Sequence, residues 1–434
     1  MKQAQRVLST YSVDIFGICS ALYELGGLVV IHDASGCNST YTTHNEPRWY
    51  DIPSMVYLSG LNEIDTIYGS DSRLIRDIKE VSDETRPKFI SIGGSPMPNV
   101  IGTDFKAVAR MTEKATGVPT LGFRTDGIHS YVHGAGDAFL AFAKRFMVPP
   151  EKKGTKSSRT SERPADGPLS VNLLGATPLD FSVTGTGTEL KTLIRGNEME
   201  LVSTWAMGDT AETLASSCRA DVNVVISSTG YPLARWMEKT YGIPCVTGFP
   251  VGEEATGQWI GRIRAAGLRL PEDAAAEAAK RVPGEIPADI AKNLPSDGET
   301  LLIIGEPVAA RSFGEAAALS GKFGEIRFLC PITDAPRELT RGMMITDDEH
   351  AIRKACEKAD RILADPIYGR LLPDERDKFV FLPHDAFSGR YYRDQHPVFA
   401  GPDAVKNILD AQKDLVVSER ENKIEPASPV VFRA

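Results

Sequence analysis

The chain has 434 residues, 42% of them hydrophobic and 25% charged, and a formal net charge of −9. That length exceeds one ordinary hydrophobic core and sets two or three domains as the expectation. The acidic balance argues against a nucleic-acid binder, which needs a basic face, and no apolar run of about 18 residues offers a membrane span. The N-terminal MKQAQRVLSTYSVD carries no apolar signal core, so a cytoplasmic protein is expected.

Short apolar runs alternate with amphipathic stretches along the whole chain. LVVIHD (Leu28–Asp33) and KFISIGG (Lys88–Gly94) read as buried strands, and VNLLG, ELVSTW, VNVVISS, TLLIIGE, EIRFLCP, RILADP and KFVFLPH continue the series. Helical patterns lie between them: DSRLIRDIKEV, GDAFLAFAKRF, YPLARWMEKTYG and VAARSFGEAAALSG. Strands spaced by helices imply parallel sheets wound through right-handed crossovers. Two breaks interrupt the alternation, a polar Pro-rich stretch over 149–168 and a charged, alanine-rich connection over about 267–299. They divide the chain into three α/β domains, 1–165, 166–295 and 296–434, predicted as Rossmann-like doubly wound sheets around a central cleft.

Six cysteines, Cys19, Cys37, Cys218, Cys245, Cys330 and Cys356, stand apart without a CxxC pair. In a reducing compartment they form no disulfide framework, and no local zinc or ferredoxin-type site can be built from one segment. Ligands of doubly wound sheets gather beyond the carboxyl ends of the strands. There the loop HDASGCNSTYTTHNEPRW places Cys37 after Gly36, with Ser35, Ser39 and Thr40 around it. Backbone amides near a helix start lower a thiol pKa and favour the thiolate that binds metal, while a small residue packed in a tight turn is the plainer alternative. Cys19 falls inside the helical pattern DIFGICSALYEL and reads as core, and the other four read as buried structural thiols. No phosphate-binding loop is complete, since Gly252–Gln258 lacks the lysine. No G-x-G-x-x-G follows a strand, GGSP (Gly93–Pro96) is a phosphate loop or simply a tight strand exit, and no nucleophile elbow occurs.

In sequence order, five segments resemble the family of nitrogenase component 1. HDASGC is similar to the family loop whose cysteine ligates the electron-relay iron–sulfur cluster. LSGLNEIDTIYGSDSRLIRDIKEV, PKFISIGGSPMPNVIGTDF, VNVVISSTGYPLARWMEKTYGIPCVTGFPVG and HPVFAGPDAVKNILDA resemble later family blocks. The resemblance implies three Rossmann units and a cluster ligated by Cys37, of the 4Fe-4S or P-cluster type, shared with a partner chain.

Departures from the family pattern sharpen that reading. Tyr11–Val13 stand where an upstream cysteine is expected, and Ser95-Pro96 where a third is expected. Ser130 falls near a serine that one of the nitrogenase chains supplies to its relay cluster, and Ser227 replaces the cysteine that anchors the molybdenum–iron cofactor. His384 sits roughly where that cofactor's histidine ligand would be. Cys37, Ser95 and Ser130 are therefore the candidate cofactor-binding residues, with His384 and Arg124 as catalytic candidates, Arg124 as an anion-binding group and His384 as a proton donor. His32 and His396 end a strand and a loop, each with a structural alternative, and Glu63 and Asp65 match family positions that a surface ion pair also explains. Arg124, Ser227 and His384 end strands in three domains and could share one pocket.

The resemblance implies a subunit of a two-component reductase. It would relay electrons from an ATP-hydrolysing iron protein through an interface cluster to a substrate or metallocofactor. The partner would be a paralogous subunit in a heterotetramer, or a second copy in a homodimer. The alternatives are a non-catalytic partner or cofactor-assembly scaffold, and a metal-free ligand-binding protein.

Overall fold

The computed structural model describes residues 7–8, 12–34, 45–53, 55–69, 71–148, 167–268 and 294–421. The Cys37 loop, most of the 149–168 stretch and most of the 267–299 connection lie outside them.

The apolar runs form three parallel sheets. The first holds β1 (Leu28–His32), β2 (Met55–Leu58), β3 (Ile90–Gly94) and β4 (Thr120–Gly122) in the order β2-β1-β3-β4. The second holds β5 (Leu169–Ala176), β6 (Met199–Ala206), β7 (Val222–Val225) and β8 (Cys245–Thr247) in the order β6-β5-β7-β8. The third holds β9 (Glu299–Ile304), β10 (Phe323–Cys330), β11 (Met344–Ile345), β12 (Arg361–Ala364) and β13 (Phe379–Phe381) in the order β11-β10-β9-β12-β13. Central strands such as β1, β3 and β7 are buried along their whole length, because helices cover both faces of a parallel sheet. All nine strands expected from the sequence are present. The four it did not signal, β2, β4, β8 and β11, are edge strands of two to four residues, too short to show a period.

In each sheet the chain first steps to one side of its opening strand and then crosses to the other. The reversal falls between β1 and β3, between β5 and β7, and between β9 and β12. Loops on the two sides of such a reversal diverge and leave a crevice at the carboxyl ends of the strands.

Three glycines set the position of one helix against its neighbours in the first and second units. Helices Asp14–Leu22 and Tyr131–Phe146 cross so closely that a Cβ on Gly17 would lie 2.1 Å from the Tyr131 carbonyl oxygen, and one on Gly134 would lie 1.9 Å from that of Asp14. The second helix also rests on Tyr231–Tyr241, where a Cβ at Gly136 would meet Pro232 at 3.0 Å. Its first residue, Tyr131, is thereby carried from the first unit into the crevice of the second.

Candidate functional site

At the first crevice, β1 runs into His32 and Asp33. His32 Nδ1 lies 2.8 Å from Ser59 Oγ, and the Ser95 hydroxyl donates to Asp33 Oδ1. Thr125 stitches the end of β3 in both directions, accepting from the Gly94 amide at 2.7 Å and donating to the Gly94 carbonyl at 2.6 Å. Val13 forms an isolated bridge with Ser130, whose amide donates to Asp334 at 2.8 Å. A Cβ on Gly127 would lie 2.7 Å from Pro96. The structure thus gathers Val13, Ser95-Pro96 and Ser130, three positions where the family resemblance expects cluster ligands. Ser130 Oγ is buried there without a hydrogen-bond partner, whereas Ser95 Oγ is committed to Asp33. Cys37 itself lies outside the described residues. Arg124 is exposed at the exit of β4. Asp65 caps the helix Glu63–Tyr68 from within and pairs with Arg73 at 2.5 Å, while Glu63 is exposed.

The second and third crevices meet in a buried polar network. Its centre is Asp180, on the short helix Pro178–Phe181 that follows β5. Asp180 Oδ2 accepts the hydroxyls of Ser227 at 2.6 Å and Thr177 at 2.8 Å, and Oδ1 accepts the Tyr131 hydroxyl at 2.6 Å. His384 Nε2 stands 3.4 Å from the same Oδ1, without the alignment of a full hydrogen bond. The Ala386 amide points at His384 Nδ1 from 3.3 Å, and Nε2 faces Asp180. Glu306, leaving β9, accepts the amide of Ser228 at 2.8 Å and its hydroxyl on one oxygen, and the Ala309 amide at 2.8 Å on the other. Asp365, leaving β12, accepts the amides of Ile367 at 2.9 Å and His384 at 2.7 Å and the Ser388 hydroxyl at 2.8 Å. Asp385 lies 3.4 Å from Arg393 Nε and 3.5 Å from His396 Nε2.

The structure therefore brings Ser227 and His384 onto one carboxylate, with Ser227 fully buried and the His384 side chain 13% exposed. Arg124 stands apart from that network, on the surface. Sequence reasoning missed the acids that organise the site: Asp180, Glu306, Asp365 and Asp385. Two of them carry a local signal. GEP and ADP each place an acid directly before a proline at a strand exit, the pattern of a capping acid followed by Pro at the first helical position.

Burial dominates the electrostatics. It pushes Glu306 up to about 7, helped by the negative charge of Asp180 and opposed by the Ser228 and Ala309 donors. Burial likewise raises Asp365 and Asp385 to about 6, against the Ile367 amide in one case and the Arg393 charge in the other. His396 is driven down to about 3 by burial and then by the positive charges of His384 and Arg393. For His384 burial works downward, but Asp180, Asp365 and Glu306 outweigh it and the net shift is upward. A cavity of about 30 Å³ touches Glu306, Asp365 and His384, room for about two water molecules.

The residues present do not fit a large metallocofactor. Ser227 gives its hydroxyl to Asp180 where a thiolate anchor would be needed, and the cavity beside His384 holds water-sized contents only. Four of the described cysteines sit where burial disfavours the thiolate. Burial raises all of Cys19, Cys245, Cys330 and Cys356, Cys245 to about 11 and Cys356 to about 12, so each is held as a thiol. Cys218 is buried, with its thiol donating to the Val148 carbonyl at 3.0 Å. Among the described residues no helix is long and apolar enough to cross a membrane.

Comparison with known proteins fits this architecture. Over 192 residues, 44% of this chain, the sequence is 28% identical to the nitrogenase iron-molybdenum cofactor biosynthesis protein NifE of Methanococcus maripaludis. It is 27% identical over 196 residues, 44% of the chain, to the nitrogenase molybdenum-iron protein alpha chain of a Nostoc species. It is 24% identical over 215 residues, 49% of the chain, to a component of the light-independent protochlorophyllide reductase of Heliobacterium modesticaldum. These matches span 37%, 38% and 39% of the relatives' own lengths. The solved structure "Nitrogenase Cp1 at pH 5" superposes with a TM-score of 0.65 at 15% identity, over 98% of this chain and 92% of that one, which establishes the shared fold. Residues 21–318 match the family model for nitrogenase component 1 type oxidoreductases, well over half of the sequence, and the chain belongs to that family.

Proposed function

We propose that this protein is a cytoplasmic, three-domain subunit of a nitrogenase-like two-component reductase, divided at about 165 and 295, whose central cleft anchors no metallocofactor. The carrying observation is the commitment of the Ser227 hydroxyl to Asp180 inside a fully buried network. In this reading Cys37 supplies one ligand of an iron–sulfur cluster at a subunit interface, beside Ser95 and Ser130. One cysteine cannot satisfy a cluster that takes about four thiolate-like ligands, so a paralogous chain or a second copy supplies the others. An ATP-hydrolysing iron protein is the electron donor. His384 is the proton donor at the cleft, and Arg124, exposed at the β4 exit, meets an anion only outside the buried network.

The test is iron content and the EPR signal of Cys37→Ala protein, prepared anaerobically with its partner. Loss of both is expected; full retention of iron and signal overturns the reading. Likeness to NifE supports a second reading, an assembly scaffold that holds a cofactor in transit. Reductive turnover with the partner and the iron protein separates the two, since only the reductase reading predicts it.

A further inference from the structure

Three carboxylates at the meeting of the second and third crevices outnumber the cations available to them. Asp180, Glu306 and Asp365 are 6%, 1% and 2% exposed, and their hydrogen-bond donors are hydroxyls and amides, all neutral. The nearby Arg393 is turned to Asp385 and donates to the Asn45 carbonyl at 2.8 Å. Among the described residues His384 is the remaining group whose side chain can offset their charge, with Nε2 towards Asp180, while its neutral backbone amide bonds Asp365. Uncompensated buried charge costs several kcal/mol per ion, so the group relaxes by holding a proton.

The carboxylates are also connected. Ser227 donates to Asp180 and the next residue, Ser228, donates to Glu306, so one peptide unit spans the two acids. The cavity beside them is lined mainly by apolar side chains, with Glu306, Asp365 and His384 as its polar members, and a water held there needs all three as hydrogen-bond partners. We propose that Asp180, Glu306 and His384 form a single proton-sharing unit, in contact with water through the cavity at the β9/β12 crevice. Its use as the proton source for a reduction rests on the reductase reading; its existence does not.

The groups that face the unit come from every surrounding element. Tyr131 approaches from the first sheet's helix with its hydroxyl on Asp180, and burial pushes that phenol well above its ordinary range. Cys330 at the end of β10 is held as a thiol by burial. Asp385 and His396 lie behind His384, with Arg393 beyond them. Within the unit protons move without electrons: a proton leaving Glu306 passes to cavity water, and a proton taken from that water returns to a carboxylate or to the imidazole.

The experiment follows the ring proton signals of His384 by NMR across a pH titration of the isolated chain, assigned with His384→Gln. In a shared unit these signals report the neighbouring carboxylates as well, giving two inflections rather than one. Glu306→Gln, which keeps the shape and removes a charge, should lower the proton affinity of His384 roughly tenfold, a shift of about one pH unit, and should merge the inflections. Asp180→Asn should act in the same direction. A residue with a merely structural role would leave the titration curve where it was. A single inflection in the wild type, or a His384 midpoint unmoved in both folded variants, overturns the proposal. Should neither variant fold, the wild-type curve alone decides. Iron content plays no part in this readout, so failure here leaves the cluster reading untouched.

Discussion

Arg48, just after the Cys37 loop, offers the sharpest test of how the first unit is held together. Its Nε donates to Glu46 at 2.6 Å, one terminal nitrogen to Glu24 at 2.8 Å and the other to the Ser20 carbonyl at 2.7 Å. The guanidinium also covers the Tyr23 ring, 4.6 Å from its centroid. Arg48 and Glu46 are 2% and 0% exposed, so Arg48→Met strips a buried carboxylate of its cation. Breaking a buried pair from one side costs about 3–5 kcal/mol, of which the ring contact accounts for about 1 kcal/mol. Glu24 also accepts the Gly208 amide at 2.7 Å, so the loss should spread to the second sheet. Urea unfolding measures the total, and amide exchange of helix Asp14–Leu22 measures the local part, which matters because a chain of three sheets need not unfold in one step. The double variant Glu46→Gln with Arg48→Met removes the more deeply buried of the two stranded carboxylates, leaving Glu24 with the Gly208 amide, and should recover part of the loss. Arg48→Met within about 0.5 kcal/mol of wild type, the scatter of ordinary surface changes, or a double variant worse than the sum of its singles, would refute the reasoning.

Two further expectations concern the same unit. Gly134→Ala forces a Cβ against the Asp14 carbonyl and should destabilise by about 1–3 kcal/mol or more, read as a lower midpoint in thermal unfolding; an unchanged midpoint contradicts the close crossing. In the Asp126–Ser130 loop, burial works upward on Asp126, but the Ile128 amide and the His129 side chain and amide prevail and hold its carboxyl at about 2, while the Asp126 contact raises His129 above its ordinary 6.5. Asp126 thus stabilises above its ordinary 3.8, a contribution lost as pH falls towards 2, and His129 stabilises below 6.5, a contribution lost as pH rises through its raised value. Amide exchange at Ile128 and His129 should be slowest between those limits and lose both limbs in Asp126→Asn; a flat wild-type profile would contradict the pairing.

How much of this was legible in the sequence follows from what each feature depends on. Strands such as LVVIH and VNVV declare themselves because both faces of a parallel sheet are covered, which makes the run apolar throughout. Cys19 was readable as core because its helical neighbours repeat at the right spacing, and it is fully buried. The pairing of Ser227 with His384 was foreseeable from their places at strand ends. The mediator was not, because Asp180 sits in a polar-looking stretch, ATPLDFS, whose burial is decided by Tyr131 and Ser227 arriving from 49 and 47 residues away in sequence. Arg124 looked equivalent to the other strand ends by pattern alone. Exposure at a three-residue edge strand sets it apart, and sequence spacing carries no information about that.

The carboxylates of the cleft and the serine at 227 explain each other. A thiolate at that position would stand against Asp180, with Glu306 one residue away through Ser228. Buried negative charge on two sides would raise the thiol, as burial already does at the described core cysteines, and a protonated thiol is not a metal ligand. A hydroxyl meets the opposite conditions. It donates one short hydrogen bond to an acceptor that needs it, and a charge-assisted bond of that kind is stronger than a neutral one. Ser227 is thus not a lost ligand awaiting reversal but one member of a network that has no place for a thiolate. The cluster chemistry proposed for Cys37 and the proton chemistry proposed for Glu306 and His384 accordingly rest on different residues, and Tyr131, which follows Ser130 and donates to Asp180, links Ser130 to that network.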